Sequence, residues 1–215
     1  MIDTDTYCPS NLVMEPEQNN ITDRRKSELI RKSLHFLIAF APVLACINKL
    51  FTIILLAGGT AAYIIMESFR RRGIAIPIIS RLTVLASRKR DMGRFVLGPV
   101  TLGLGALLPL LVFPLPAASI AIYALAFGDG TASLAGKFFG RIRPRFLLGK
   151  SLEGFLACFL GVFISAWLYT FFAGSGNITI ALAAALTALA VELIPVKDWD
   201  NIIMPMAVGF AVNLI

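Results

Sequence analysis

Apolar stretches long enough to cross a lipid bilayer recur along this chain, each ended by charged or turn-forming residues. They run near 34–48, 50–66, 96–113, 117–136, 152–172, 177–193 and 201–215. A bilayer core takes roughly 20 apolar residues per helix, so the pattern predicts an all-α integral membrane protein with about seven transmembrane helices. The first and last stretches are short and are expected to extend into flanking residues or to thin the bilayer. Residues 1–27 are polar, with no apolar face, and read as a disordered cytoplasmic tail with no signal peptide before Leu34. Residues 28–215 then form a single polytopic membrane domain, with no separate soluble one.

Charge orients this pattern. Of 20 Lys and Arg residues, all but Lys49 lie before the first stretch or between the second and third, the fourth and fifth, or the sixth and seventh. Cytoplasmic loops retain Lys and Arg, so the N-terminus is expected in the cytoplasm and, with seven spans, the C-terminus outside. Basic stripes also suit nucleic acid, but a 57% hydrophobic content and a mean hydropathy of +0.79 exclude a soluble nucleic-acid binder. Cys8, Cys46 and Cys158 are scattered and suggest neither a disulfide framework nor a metal pair. In the long second loop, Ile78, Leu82 and Leu85 share a helical face over 74–87, which suggests a helix lying in the headgroup layer; the plain alternative is a basic loop that sets topology.

Polar residues within the apolar stretches carry the candidate chemistry. On a continuous fourth span, Asp129, Ser133, Gly136, Lys137 and Gly140 share one face; on the fifth, Lys150, Glu153, Gly154, Ala157, Gly161 and Ser165 form a similar stripe. Small residues let helices approach closely in lipid, so these two spans are expected to pack together and present Asp129, Lys150 and Glu153 near a shared cytoplasmic end. Asp129 lies eight residues before Lys137, about 12 Å deeper, where a carboxylate needs a partner, water or a cation. Its flanking glycines, Gly128 and Gly130, also allow the helix to open there. Glu67, Asp91, Glu153, Glu192, Asp198 and Asp200 map to the same side as the basic residues. Such a layer offers cations for phosphate oxygens and hard oxygen ligands for Mg²⁺, as a metal-bound polyphosphate requires.

The ordered motifs Gly128-Asp129-Gly130-Thr131-Ala132, Gly136, Gly140-Arg141 and Gly149-Lys150-Ser151-Leu152-Glu153-Gly154 resemble those of the integral-membrane lipid kinases, the group of dolichol kinase, phytol kinase and CTP-dependent diacylglycerol kinase. Arg31-Lys32-Ser33-Leu34-His35, Arg90-Asp91 with Gly98-Pro99, Glu192-Leu193-Ile194-Pro195 and Asp200-Asn201 with Pro205 extend the resemblance over about residues 28 to 208. Trp199 stands where many relatives carry a second acid. The resemblance implies transfer of the γ-phosphate of a nucleoside triphosphate, with CTP as co-substrate, to the hydroxyl of a membrane lipid alcohol (polyprenol or dolichol, phytol, or diacylglycerol) at the cytoplasmic face.

In that reading Asp129, Lys150, Glu153 and His35 are catalytic, and Arg31, Lys32, Gly128, Gly130, Lys137, Gly140, Arg141, Ser151 and Gly154 contact the nucleotide. Asp129, Glu153, Glu192 and Asp200 are the candidate ligands of Mg²⁺ or a similar divalent cation. His35 follows Arg31 and Lys32 by four and three residues, so all three can share a face; a histidine there is either a proton acceptor or a hydrogen-bonded structural residue.

Similar Gly-Asp and Lys-Ser-x-Glu-Gly elements occur in phosphatidate cytidylyltransferases, which makes cytidylyl transfer the alternative within the enzyme class. A chain with one histidine and an apolar end lacks the long C-terminal signature of those enzymes. A transporter or non-catalytic membrane protein is the alternative outside it, although no internal repeat is visible and the acids gather toward one side. Gly149-Lys150-Ser151 is no P-loop, because the first glycine of that motif falls at Pro144.

Overall fold

The computed structural model describes residues 28–72, 95–144, 147–195 and 197–215, whose regular structure is entirely helical. Helix α1 spans Glu28–Ile47, α2 Lys49–Arg71, α3 Gly98–Val112, α4 Leu115–Phe138, α5 Leu152–Phe172, α6 Ile178–Glu192 and α7 Asp200–Asn213. Each coincides with an apolar stretch of the sequence. The expected headgroup-layer helix at 74–87, the tail at 1–27 and Arg90-Asp91 lie outside the described residues. By length and apolarity, α1, α2, α4 and α5 are each sufficient to cross a membrane, whereas α3 and α6 are shorter apolar helices.

Local chemistry sets the helix ends. Pro42 has no N–H to offer one turn back, and α1 loosens into a turn at Ala39. The Asn48 side chain caps α2 by accepting from Phe51 N at 3.0 Å, and Ser151 caps α5 by accepting from Gly154 N at 3.2 Å. Asn177 caps α6 by accepting from Thr179 N and Ile180 N. Glu67, fully buried near the end of α2, accepts from Arg70 and from Val96 N, tying α2 to the start of α3.

Helix α4 is the centre of the bundle: most of its apolar length is buried, whereas most of that of α1, α2 and α5 is not. Around it the core is built from small side chains, including Ala118, Ala121, Ala124, Ala184 and Ala188, all fully buried. Small residues bring backbones together and let dispersion hold helices where lipid supplies no hydrophobic driving force. The outer faces expose Leu37, Phe40, Ile54, Leu160 and Phe210. Exposed apolar surface on this scale matches a hydrocarbon solvent rather than water.

The expected packing of the fourth and fifth stretches is present. A Cβ added to Gly154 would stand 2.7 Å from Ala132 O and 3.2 Å from Gly136 Cα, and one on Gly161 would stand 2.8 Å from Phe127 O. Only glycine permits this approach of α4 to α5. The glycines of the third stretch serve likewise, Gly103 facing Thr60 of α2 and Gly105 facing the Asn201 backbone of α7.

Candidate active site

Four polar residues of α1, Glu28, Arg31, Lys32 and His35, follow the spacing of a single helical face, and the contacts of Glu28, Lys32 and His35 reach α4. Lys32 donates to Asp129 Oδ2 in a salt bridge that leaves the lysine side chain 1% exposed. His35, also buried, places Nδ1 3.1 Å from the same oxygen. A lone carboxylate at this depth is costly, and here Lys32 pairs with it, while His35 Nδ1 stands close by, buried and without a hydrogen bond. Lys32, expected on the nucleotide, is buried and paired with Asp129.

The backbone of α4 changes at this point. Ala124–Asp129 form a π-helical turn, a widening frequently found at functional sites. The helix therefore stays continuous, as one of the two sequence expectations had it, but carries an extra-wide turn ending on Asp129. Thr131 Oγ1 lies 2.8 Å from Ala157 O and also contacts Phe127 O, pinning the turn to α5.

A second cluster forms around Glu28, a buried residue that sequence reasoning missed. It accepts from Arg31 Nη2 at 2.8 Å and from Ser133 Oγ, and pairs with Lys137. One carboxylate thus holds two of the expected phosphate-binding cations beside α4. The signal was present: Glu28 precedes Arg31 and Lys32 by three and four residues, in phase with His35.

Lys150, at the entry to α5, bonds Glu192 Oε1 at 2.8 Å and also donates to the Glu192 carbonyl, linking α5 to the end of α6. Glu153 stands in the first turn of α5. Its Oε1 accepts from Arg141 N at 2.9 Å and Ile142 N at 3.1 Å, fastening the segment between α4 and α5, while Oε2 is buried without a partner.

A cavity of about 260 Å³ gathers much of this chemistry. Its walls include Arg31, Asp129, Lys137, Lys150, Glu192 and Asp200, with Gly136, Ser151 and Gly154 contributing surface without bulk. A smaller cavity of about 40 Å³ adjoins it, sharing Arg31, Asp129 and Asp200 and adding His35, Asp198 and Asn201. Asn201 is fixed by its Nδ2 donating to Thr101 Oγ1 at 2.9 Å. Asp129 and Lys150 therefore face one compartment, and Arg31 and Asp200 join them.

Other expected site residues lie elsewhere. Glu153 and Arg141 line neither cavity, and Arg141 is exposed. Gly128 packs against Val162, Met204 and Cys158, and Gly130 against the Phe36 ring. Gly140 is wedged between the Gly136 carbonyl and Ser151. These three glycines serve close packing. Ser151 both caps α5 and lines the larger cavity.

Among the described residues no group of three or more His, Cys, Asp or Glu side chains stands at metal-ligand spacing. Mg²⁺, however, takes one or two carboxylates plus substrate phosphates and keeps waters, and Asp129 and Asp200 line the same two cavities. The donor set fits such a cation, with Glu192 beside it but engaged by Lys150.

Comparison with known proteins finds two plant relatives. The chain is 32% identical over 123 residues to a probable chloroplastic phytol kinase of Triticum aestivum, covering 51% of this chain and 41% of that protein. It is 28% identical over 156 residues to a probable chloroplastic phytol kinase 1 of Oryza sativa subsp. japonica, covering 66% of this chain and 50% of that protein. The matched region thus spans half or less of the length of these curated relatives. No family model and no solved structure matches the chain. Over the matched region the chain is thus similar to two plant proteins named as probable phytol kinases.

Proposed function

We propose that the protein is a multi-pass membrane kinase that transfers the γ-phosphate of CTP to the hydroxyl of a membrane lipid alcohol, at a site facing the cytoplasm. The observation that carries this reading is the single polar compartment shared by Asp129, Asp200, Arg31 and Lys150, drawn from α4, α7, α1 and the entry to α5. Kinship with proteins named as phytol kinases makes a phosphoryl group and an alcohol the natural reactants.

Phosphoryl transfer passes through a loose transition state and needs positioning and charge neutralisation more than covalent help. Arg31, Lys137 and Lys150 line the larger cavity and supply positive charge to the phosphate oxygens, while their acidic partners Glu28 and Glu192 hold them in place. Asp129 and Asp200 are the residues that would hold Mg²⁺, which when bound neutralises charge on the transferring phosphate. Asp129 or its neighbour His35 takes the proton of the alcohol as its oxygen attacks the γ-phosphorus, and the bond to the bridging oxygen of CDP breaks. Lys32 compensates the charge of Asp129 before the proton moves.

The test is to give the purified, vesicle-reconstituted protein CTP labelled on either the α or the γ phosphate, with a panel of lipid alcohols and phosphatidate. The proposal expects label from the γ position in lipid. Label from the α position means cytidylyl transfer, and no label from either means a non-catalytic protein or a transporter.

A further inference from the structure

A second compartment lies away from the polar one. It is a groove of about 630 Å³ between α4 and α5, walled by Tyr123 and Phe127 of α4, by Gly161, Ser165 and Tyr169 of α5 and by Cys46 of α1. It shares no wall residue with either polar cavity, and Gly161, packed against Phe127 O and Thr131, closes the α4–α5 contact between them. An occupant of this groove is therefore separated from the chemistry of the polar site.

The groove belongs to the opposite half of the bundle. Helix α5 begins beside the polar cavity, at Ser151 and Gly154, and ends at Phe172; the groove follows it from Gly161 to Ala173, about 18 Å. That is a little more than half of a hydrocarbon core of roughly 30 Å, the depth of one leaflet. Ile164, Leu168 and Phe172 along its edge are exposed, so it opens sideways to lipid.

Two phenols give this groove a polarity that a plain crevice between helices lacks. The rings of Tyr123 and Tyr169 stand side by side in it, their centroids 6.0 Å apart. Tyr63 of α2 gives its hydroxyl to Val96 O at 3.2 Å, but the hydroxyls of Tyr123 and Tyr169 donate to no acceptor among the described residues. The Ser165 hydroxyl is already bonded to Val162 O at 3.1 Å. An O–H left without an acceptor in a lipid-facing groove is costly, because a bilayer core supplies no water to pair with it. The complement of such a wall is a hydrocarbon chain that carries an acceptor and no donor of its own. A glycerophospholipid supplies that group in the ester carbonyls at the head of its acyl chains.

We propose that this groove binds a diacyl phospholipid of the leaflet opposite the polar cavity, one acyl chain lying along α5 and its ester carbonyl accepting from Tyr123 and Tyr169. The test places the full chain in vesicles of equal parts ester-linked (diacyl) and ether-linked (dialkyl) phosphatidylcholine with matched chains, so that the two lipids differ only in the carbonyls. After release into mild detergent, native mass spectrometry counts the lipid retained. The unaltered protein should keep the diacyl lipid about tenfold over the dialkyl one, the scale of one or two hydrogen bonds. Tyr123→Phe combined with Tyr169→Phe should abolish that preference, with thermal unfolding establishing that the bundle is intact. A diacyl phosphatidylcholine carrying a diazirine on one chain should label peptides containing Tyr123 or residues 161–173.

Equal retention of the two lipids by the unaltered protein, a preference that survives the double substitution, or labelling confined to other peptides overturns the proposal. A dimer that retains no lipid also overturns it and makes the groove a contact between copies of the chain. None of these results bears on the kinase reading, because the groove and the polar site have no residue in common.

Discussion

Lys32 of α1 and Asp129 of α4, separated by 97 residues in sequence, form a buried salt bridge at the level where the π-helical turn of α4 ends. The bridge fixes the first helix against the central one and brings His35 to the same carboxylate. It also explains how an acid survives inside a helix that is otherwise apolar: its charge never stands alone.

Removing one member of this pair should therefore be worse than removing both. Lys32→Ala leaves Asp129 uncompensated and should lower stability by about 3–5 kcal/mol, as for other broken buried pairs. Lys32→Met combined with Asp129→Asn should recover most of that loss while remaining inactive. Thermal unfolding in detergent, read beside phosphate transfer, checks both halves of the prediction.

Glu28 holds Arg31 and Lys137 next to the cavity without lining it. Glu28→Gln should keep the hydrogen bond to Ser133 but release the two cations, raising the KM for nucleotide about tenfold with a smaller change in kcat. Equal falls in kcat and kcat/KM would place Glu28 in the chemical step instead.

Lys150→Ala removes a cavity cation and leaves Glu192, only 11% exposed, without its partner. Nucleotide binding should weaken by about tenfold or more, roughly the loss of one charge-assisted contact. Equilibrium binding of a fluorescent CTP analogue measures this directly, and unchanged affinity would remove Lys150 from the phosphate site.

Glycines at helix contacts and on open faces should respond in opposite directions. Gly154→Ala puts a methyl against Ala132 O and Gly136 and should destabilise the bundle by about 1–3 kcal/mol through overpacking. Gly58→Ala, on α2 with nothing within 4 Å of the added carbon, should stabilise by about 0.5–1 kcal/mol through helix propensity. Paired melting curves under one detergent condition test the contrast.

Hydropathy located the helices well, because a bilayer imposes a length and a polarity that any reader of the chain can count. The small-residue stripes foretold the α4–α5 contact for a similar reason: Gly136, Gly154 and Gly161 recur on helical faces where a close backbone approach needs them. Pairings across sequence were less legible. A lysine next to an arginine at a membrane boundary looks like a phosphate ligand, and nothing local reveals that Lys32 turns inward to Asp129 while Arg31 faces the cavity. Glu28 escaped because the first span was started at Leu34, which hid its place on the face of Arg31, Lys32 and His35. Glu153 sits in the motif that resembles the kinases, yet its carboxylate fastens the α4–α5 segment through two backbone N–H groups. The π turn has only one hint in the sequence, the glycines on either side of Asp129.

The central claim is that the Asp129 carboxylate, held by Lys32 and facing the cavity of Lys150 and Asp200, is required to move phosphate to a lipid alcohol. Single-turnover transfer from γ-labelled CTP, comparing the unaltered protein with Asp129→Asn at matched membrane insertion and thermal stability, tests it most directly. The account predicts a rate lower by about a hundredfold or more, the scale of losing one charged group from a transition-state site. Transfer at the unaltered rate would contradict it.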